Sequence, residues 1–396
     1  MCCRRSWPLR TTALASALAL TLGLLLAGPA QALSFKLMLL TPQDDGRLNR
    51  ARLERGYLGH PTGPALDALR VALGEAQMEL EAAGARLELE PVAVADAAAA
   101  RAAAARAEKA GHVALLADLP AAWLLAAADG ARLPVLNLSA GSDALRQQDC
   151  RRNLWHFAAS DRMRADALAQ WLVQRNWRNV LLLTGPGEAD AERGATVQAS
   201  LRRYGLKLAG SRPFKLSADP RERDLANPLL LTQGSYDAVW VVDTDGEFAA
   251  LLPYRTALPR PVVGDGGLVA LAWSPRFERY GGPQVTRRLI KAVGRPMSAH
   301  DWTAWMAGKA LVAAAVAAPK GPAAAFHKAL GEVSLDGSKG VLMSLRPWDG
   351  QLRQPLVLSD GQAVLGMAPV DGVLHPRDAL DTLGADAPER LCKARS

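Results

Sequence analysis

The sequence predicts an α/β fold with two lobes, each built on a parallel sheet. Short, continuously apolar segments of strand length alternate with longer amphipathic segments of helical period, a pattern typical of parallel sheets that helices cover on both faces. The alternation begins near Phe35 and begins again near Ser160. The chain has 396 residues, more than one hydrophobic core usually organises, so two lobes are expected.

The first series of strands and helices follows Phe35. Leucines recur from Leu66 to Leu80 at spacings of three, four and seven, which places them on one helix face. The Ala-rich stretch from Asp96 to Ala110 also predicts a helix, because alanine has the highest helix propensity. A short helix surrounds Trp123. The predicted strands of this series are 35–40, 86–94, 112–117 and 134–138.

The second series begins at Ser160, which can cap a helix carrying Met163, Ala167 and Trp171 on one face. Another helix follows around Leu201. The predicted strands are 179–184, 236–243 and 260–264, then a helical region at 299–331 and short strands near Val341 and at 356–358. Because no long Gly/Ser linker separates the series, the two Rossmann-like lobes should be joined by three crossover segments that act as hinges.

This pattern predicts lobes that are discontinuous in sequence. The N-terminal lobe comprises 33–156 plus about 275–345, and the C-terminal lobe comprises 157–274 plus about 346–380. A polar tail, 381–396, follows.

Residues 1–32 have the pattern of a cleavable signal peptide. Three arginines without an acid precede an apolar run of 17 residues from Thr11 to Ala27, and Ala30-Gln31-Ala32 supplies the small residues of a cleavage site. We expect cleavage after Ala32 and a periplasmic location. A membrane anchor is the alternative, but the run is short for spanning a bilayer. Ser6, Trp7 and Pro8 fit twin-arginine export poorly, so general secretion is the default.

Charge and cysteine content agree with export. Loss of three arginines changes a formal charge of +8 to 44 − 39 = +5, and the basic residues are scattered, which argues against binding to nucleic acid or a membrane surface. Only Cys150 and Cys392 remain after cleavage. In an oxidising compartment they are expected to form a disulfide, and two buried thiols are the alternative.

Candidate ligand-binding residues follow the predicted strands, because ligands of open α/β sheets bind beyond the strands' carboxyl ends. A turn or helix-cap role is the alternative for each. Trp155, where the chain first leaves the N-terminal lobe, could form the cleft floor or simply pack between the lobes. The strand-end candidates are Asp118, Leu119, Ser139 to Ser142, Thr184 to Gly187, Asp243 to Asp245 and Gly264 to Gly267.

Signatures of the common enzyme classes are missing. The chain has no Gly-x-Ser-x-Gly, His-Glu-x-x-His or Cys-x-x-Cys motif. Gly185-Pro-Gly187 lacks the third glycine of a dinucleotide site, because Asp190 stands there. The six histidines lack metal-ligand spacing. Asp243, Asp245 and Asp265 could bind a cation, although capping is the favoured role. We therefore expect no cofactor, no metal and no enzymatic activity.

Three segments carry a resemblance to type I periplasmic solute-binding proteins of ABC transporters, the group that includes the leucine/isoleucine/valine-binding proteins. They are the strand 35–40, the turn 136–142 and the run 191–206 with the strand ending at Asp243. Segments 149–156, 165–172 and 381–392 more narrowly resemble a subgroup associated with pyrroloquinoline-quinone-dependent alcohol oxidation.

The resemblance implies a monomeric clamp that binds a small polar solute between its lobes, closes and docks on an inner-membrane ABC permease. A periplasmic quinoprotein dehydrogenase is a further possible partner. By the resemblance, Asp118, Leu119, Ala140 and Ser142 contact the ligand, whereas Thr184, Asp243 and Asp265 are assigned by strand-end position. The relatives have small or neutral groups at the position of Asp118, and the segment 43–64 is unusually long, which argues against a branched-chain amino acid as ligand. A sensor of the same fold and a periplasmic enzyme are the alternatives.

Overall fold

The computed structural model describes residues 1–2 and 33–395. The predicted signal peptide therefore lies outside the described residues, apart from Met1 and Cys2. Among the described helices, none combines the length and apolar character needed to cross a bilayer.

The sheet of the first lobe has five parallel strands in the spatial order β2-β1-β3-β4-β5. The strands are β1 (Leu33–Pro42), β2 (Ala85–Val94), β3 (His112–Ala117), β4 (Val135–Asn137) and β5 (Leu154–His156). The helices of this part are α1 (Arg50–Arg55), α2 (Ala65–Glu75), α3 (Gln77–Ala83), α4 (Ala97–Lys109) and α5 (Ala121–Gly130). Helices α4 and α5 approach closely: a Cβ on Gly130 would lie 2.5 Å from the Arg101 carbonyl oxygen. The buried alanines of α4 allow this approach.

The sheet of the second lobe has four parallel strands in the order β7-β6-β8-β9. Ser160 caps the first helix of this lobe, because its hydroxyl accepts a hydrogen bond from the Met163 amide at 3.1 Å. The strands are β6 (Asn179–Thr184), β7 (Lys207–Pro213), β8 (Ala238–Val242) and β9 (Val262–Gly264). The helices are α6 (Asp161–Gln174), α7 (Glu188–Arg203), α8 (Pro228–Leu231) and α9 (Glu247–Leu251).

The last third of the chain contributes to both lobes. Helices α10 (Gly282–Val293), α11 (Ala299–Ala317) and α12 (Ala323–Gly331) carry core residues of the first lobe. Strands β10 (Val269–Leu271), β13 (Leu356–Ser359) and β14 (Val364–Ala368) form an antiparallel sheet that packs on α6 of the second lobe. Strands β11 (Ser334–Asp336) and β12 (Leu342–Ser344) pair with each other.

The chain passes between the lobes after β5, after β10 and between β12 and β13. The first and third of these crossovers are hydrogen-bonded to each other: the Gln351 side-chain amide donates to the carbonyls of His156 and Ala158, both at 3.1 Å, and Gln354 donates to that of Phe157 at 2.9 Å. The prediction of an α/β fold with parallel sheets in two lobes is confirmed.

Several local predictions differ from the structure. Strand β5 (Leu154–His156) was not predicted as a strand, although the chain does leave the first lobe directly after it, at the predicted segment 155–157. The single helical region at 299–331 is two helices, because Pro322 ends the intervening turn and begins α12. Strand β7 escaped prediction because it is an edge strand whose side chains are mostly exposed, so no apolar run marks it.

The C-terminal tail runs from the second lobe to the first. Leu383 lies in the second-lobe core, and Glu389 accepts two hydrogen bonds of 2.9 Å from the Arg162 guanidinium. Beyond it, Cys392 forms a disulfide with Cys150, which follows β4 of the first lobe. The expected disulfide is thus present, and it joins segments 242 residues apart.

Candidate functional site

A cavity of about 820 Å³ lies between the two lobes, and we call it the cleft cavity. Its walls come from segments that follow β1, β3 and β4 in the first lobe and β8 and β9 in the second, together with the first turns of α6 and α11. The carboxyl ends of both parallel sheets therefore face one space, which is where α/β sheets bind ligands.

The wall from the first lobe is built around a buried carboxylate. Asp118, 2% exposed, receives a hydrogen bond from His300 Nε2 at 3.0 Å and an ion pair from Arg47 at 2.8 Å. Burial alone would raise the pKa of Asp118, but His300 and Arg47 outweigh it and hold that pKa well below its ordinary value. Burial would also favour a neutral imidazole, yet the Asp118 carboxylate raises the pKa of His300. His300 and Arg47 line the cavity and Asp118 lies behind them.

This pair gives stability two opposite pH dependences. The folded pKa of Asp118 is below its unfolded value, so its contribution to the free energy of unfolding is full above about pH 4 and is lost as pH falls through the folded pKa. The folded pKa of His300 is above its unfolded value, so its contribution is full below about pH 6.5 and is lost as pH rises through the folded pKa.

We therefore expect the melting temperature of the wild-type protein to fall more steeply between pH 6 and pH 9 than that of His300→Gln. Differential scanning calorimetry across this range measures both slopes. His327→Gln, in the same lobe but bonded to a backbone carbonyl, serves as the control and should keep the wild-type slope. Equal slopes in wild type and His300→Gln would contradict the predicted protonation of His300.

The wall from the second lobe is a chain of charged groups at the ends of β8 and β9. The Asp265 carboxylate accepts hydrogen bonds from the Arg193 guanidinium at 2.5 Å and from the Asp243 backbone amide at 2.7 Å. Asp243 accepts the Ala249 amide at 2.9 Å, so its carboxylate caps α9, and burial raises its pKa. Gly264 ends β9 at φ +115°, and a Cβ there would lie 2.1 Å from the Val241 carbonyl oxygen. The strand end is therefore restricted to glycine.

The cavity floor is apolar. Trp240 of β8 is only 2% exposed, yet it borders the cavity. Its indole nitrogen makes no hydrogen bond to any described residue. Other apolar side chains of the floor are Ala158, Ala165, Leu168, Val197, Val242, Val269 and Leu271.

The two lobes touch each other across the cavity mouth, at a contact we call the rim latch. Arg52 of α1 pairs with Asp245 of the second lobe at 2.6 Å, and Arg55 lies 3.4 Å from Glu247. Gly246, between these acids, sits so close to Tyr57 that a Cβ would lie 3.1 Å from the ring. The two lobes are therefore in direct contact at the mouth of the cavity, which stays partly open to solvent.

The structure brings together some of the predicted site residues. Asp243 and Asp265 line the cleft cavity, and Asp118 contacts it through His300 and Arg47. Asp243 and Asp265 are engaged in capping and ion pairing, and the described residues contain no group of three or more His, Cys, Asp or Glu side chains able to hold a metal.

Four further strand-end candidates also line the cavity: Ser139, Thr244, Asp245 and Gly264. The remaining predicted ligand contacts lie elsewhere. Leu119 and Ala140 are buried, and the Ala140 carbonyl accepts a hydrogen bond from Arg146 at 3.0 Å. Ser142 lines a second pocket beside Asp143 and Arg162, and Thr184 borders a third one beside α7. Trp155 lies in the edge strand β5, with the Arg395 guanidinium 4.1 Å above its ring.

The lining side chains that were not among the predicted site residues include Arg47, Arg52, Arg164, Arg193, Trp240 and His300. The unusual length of segment 43–64 was a signal that could have identified Arg47 and Arg52 as site residues. No local signal marks His300, because it reaches the first lobe from the last third of the chain through the fold's topology.

A family model described as periplasmic binding protein matches residues 56–257, which is 202 of the 396 residues. No curated protein matches the chain.

Solved structures share the fold at low identity. A periplasmic binding protein from Burkholderia mallei has a TM-score of 0.67 at 14% identity, over 92% of this chain and 99% of that one. A leucine-, isoleucine-, valine-, threonine- and alanine-binding protein from Brucella ovis, in a closed conformation, has a TM-score of 0.68 at 14% identity, over 83% and 89%. An ABC transporter solute-binding protein from R. palustris, in complex with benzoate, has a TM-score of 0.62 at 15% identity, over 85% and 96%.

Proposed function

Because the chain belongs to the periplasmic binding protein family, we propose that it is the solute-binding component of an ABC transporter and that its solute binds in the cleft cavity. The observation that carries this proposal is a cavity of about 820 Å³ whose walls come from both lobes. This volume suits a small molecule. Contacts from both lobes would make binding favour the closed form, which an inner-membrane permease can then recognise.

Export to the periplasm and action as a monomer are parts of the same proposal. The signal-peptide pattern of residues 1–32 and the Cys150–Cys392 disulfide support export, since disulfides persist in oxidising compartments. Segments 149–156, 165–172 and 381–392 resemble the subgroup associated with pyrroloquinoline-quinone-dependent alcohol oxidation. This resemblance supports a solute from alcohol metabolism and a quinoprotein dehydrogenase as a partner.

Recognition without catalysis is also proposed. The Asp118–His300 pair could orient a general base, but nucleophilic catalysis would require a nucleophile within hydrogen-bond reach of the other ring nitrogen. Within the described part of the chain, His300 Nδ1 has no such partner.

Native mass spectrometry of freshly purified mature protein, followed by a thermal-shift screen of alcohols, acids, amines and metal ions, tests the proposal. We expect a stoichiometric small-molecule adduct, or a compound that raises the melting temperature in proportion to the logarithm of its concentration above its Kd. A protein that carries no adduct and responds to no compound would contradict it.

The rim latch yields a prediction about affinity. Arg52→Ala removes an ion pair that joins the closed lobes, so the open form gains population and solute binding weakens. Since Asp245 is 78% exposed, the pair contributes at most about 1 kcal/mol, and affinity should fall no more than about fivefold. Arg50→Ala is the matched control, because Arg50 pairs with Glu54 within α1.

Isothermal titration calorimetry at low and high salt measures the effect. The difference between Arg52→Ala and wild type should shrink at 1 M salt, where surface pairs are screened. An affinity equal to that of wild type at low salt would show that the latch does not contribute to closure.

A further inference from the structure

The C-terminal tail connects the two lobes in addition to the three crossovers, and we call its residues 384–392 the strap. One end of the strap is held by the second lobe. The Gly384 amide donates a hydrogen bond to the Asp166 carboxylate at 2.9 Å, and the Gly384 carbonyl accepts one from the Arg203 guanidinium at 2.9 Å. Because Asp166 is fully buried in α6, this end is attached to the core of the second lobe.

The other end of the strap is held by the first lobe. Cys392 is bonded covalently to Cys150, a buried residue between β4 and β5. Arg395, just beyond the strap, donates hydrogen bonds of 2.8 Å to the carbonyls of Arg152 and Leu154. Disulfides rearrange over minutes to hours, whereas domain hinges move in microseconds to milliseconds. This end therefore stays attached each time the lobes move.

Between its two ends the strap passes a crevice that separates the lobes. The crevice is the second pocket, of about 810 Å³, and its lining includes Asp143 of the first lobe, Thr196 of the second lobe, and Glu389 and Leu391 of the strap. The Thr196 hydroxyl donates a hydrogen bond of 2.9 Å to the Asp143 carboxylate between the lobes. The strap thus spans a boundary whose width depends on the relative position of the two lobes.

The strap has little spare length. Gly384 and Cys392 are eight positions apart, and eight extended residues span at most about 28 Å. The Glu389 carboxylate accepts two hydrogen bonds of 2.9 Å from Arg162 of α6. While this pair is formed, only three positions separate the second-lobe attachment from Cys392, which is about 10 Å of extended chain. The 3₁₀ turn at 387–389 shortens the reach of the strap further.

The strap also lies beside the hinge. The Trp348 indole of the third crossover donates to the Ala385 carbonyl at 3.2 Å, and the Arg346 guanidinium donates to the Leu383 carbonyl at 2.9 Å. When two lobes rotate about a hinge, points near the axis move least and points at the cavity mouth move most. A small restriction at the strap therefore corresponds to a larger restriction at the mouth.

We propose that the strap is a tether that narrows the range over which the two lobes open. The three crossovers alone would permit every opening that their backbones can follow. A covalently anchored strap excludes those positions in which Gly384 and Cys392 are farther apart than the strap can reach. This proposal rests on the lobe movement in the proposed function and does not depend on which solute binds.

Lengthening the strap while keeping its disulfide tests the proposal. Six residues, Gly-Ser-Gly-Ser-Gly-Ser, are inserted after the exposed Arg390 and add up to about 20 Å of reach. Spin labels at Leu53→Cys and Leu251→Cys, exposed positions on α1 and α9, report the distance across the cavity mouth by pulsed electron resonance. In solute-free protein, the lengthened strap should give a broader distribution that extends to longer distances than the native strap gives.

Two comparisons accompany this measurement. The same six residues added after Ser396, beyond the disulfide, are the matched control and should leave the distribution unchanged. Cys150→Ser combined with Cys392→Ser releases the strap in a second way and should broaden the distribution in the same direction. Mass measurement with and without reductant verifies that the disulfide has formed in the labelled proteins that keep both cysteines.

The outcomes separate this proposal from the proposed function. Equal distributions for the native and the lengthened strap would overturn the tether, whether the lobes are open or in contact. A control insertion that broadens the distribution as much as the lengthened strap would also overturn it. Neither result bears on solute binding, because these measurements use solute-free protein. The proposed function fails separately, if no solute is found by native mass spectrometry or by the thermal-shift screen.

Discussion

Replacing both Cys150 and Cys392 by serine is expected to lower the free energy of unfolding by about 5 kcal/mol, because the disulfide closes a loop with a sequence separation of 242 residues. The cross-link restricts the unfolded chain, and in the simple entropy model this restriction grows with the logarithm of loop length. The bond also fastens the tail to the first lobe, where Arg395 donates hydrogen bonds of 2.8 Å to the carbonyls of Arg152 and Leu154. The double variant should therefore lose stability and tail order together.

Urea unfolding monitored by circular dichroism measures this loss. Wild-type protein in excess reductant is the matched control, because Cys150 and Cys392 are the only cysteines after residue 32, and it should unfold at the same urea concentration as the double variant. A loss below about 1 kcal/mol would contradict the assigned role of the bond in stability.

Arg146→Met is expected to lower the free energy of unfolding by about 3 to 5 kcal/mol, because it removes a buried side chain that is hydrogen-bonded to two crossovers and a turn. Arg146 is 3% exposed, and burial lowers its pKa to about 10, so it stays charged at neutral pH. Its guanidinium donates to the carbonyls of Ala140, Ser142 and Ala158 and to the Gln351 side chain, at 2.8 to 3.0 Å. Methionine fills similar volume but removes a donor from all four acceptors; the carbonyls of Ala140 and Ala158 keep bonds from Asn137 and Gln351.

The control for this variant is Arg151→Met, a neighbouring arginine whose pair with Asp129 is partly exposed and should contribute less than about 1 kcal/mol. Because Ala158 and Gln351 belong to the first and third crossovers, Arg146→Met should also loosen the hinge. Hydrogen exchange should accelerate at residues 157–160 and 350–354. Exchange rates equal to wild type at both segments would show that Arg146 does not hold the hinge.

Where secondary structure depends on local signals, the sequence was sufficient to predict it. The buried strand at 112–117, the strand at 179–184 and the Ser160 cap of α6 each have a continuous apolar run or a capping residue beside them. Strands β5 and β7 lie at sheet edges, where strand formation depends on pairing with one neighbour that is distant in sequence. No local sequence pattern therefore predicts them.

The site was less predictable for the same reason. Asp243 and Asp265 follow strands and could be named from position alone, and they do line the cavity. His300 could not be named in this way, because its partner Asp118 is 182 residues away in sequence. The placement of Arg47 depends on how segment 43–64 folds back over the sheet, which strand-end reasoning does not address.

The central claim is that a solute in the cleft cavity holds the two lobes closed. Spin labels at Leu53→Cys and Leu251→Cys, exposed positions on α1 and α9, report the distance across the cavity mouth by pulsed electron resonance. Removing the co-purified solute should shift the distance distribution to longer and broader values, and adding the extracted solute back should restore the short distance. An identical distribution in both states would contradict the claim.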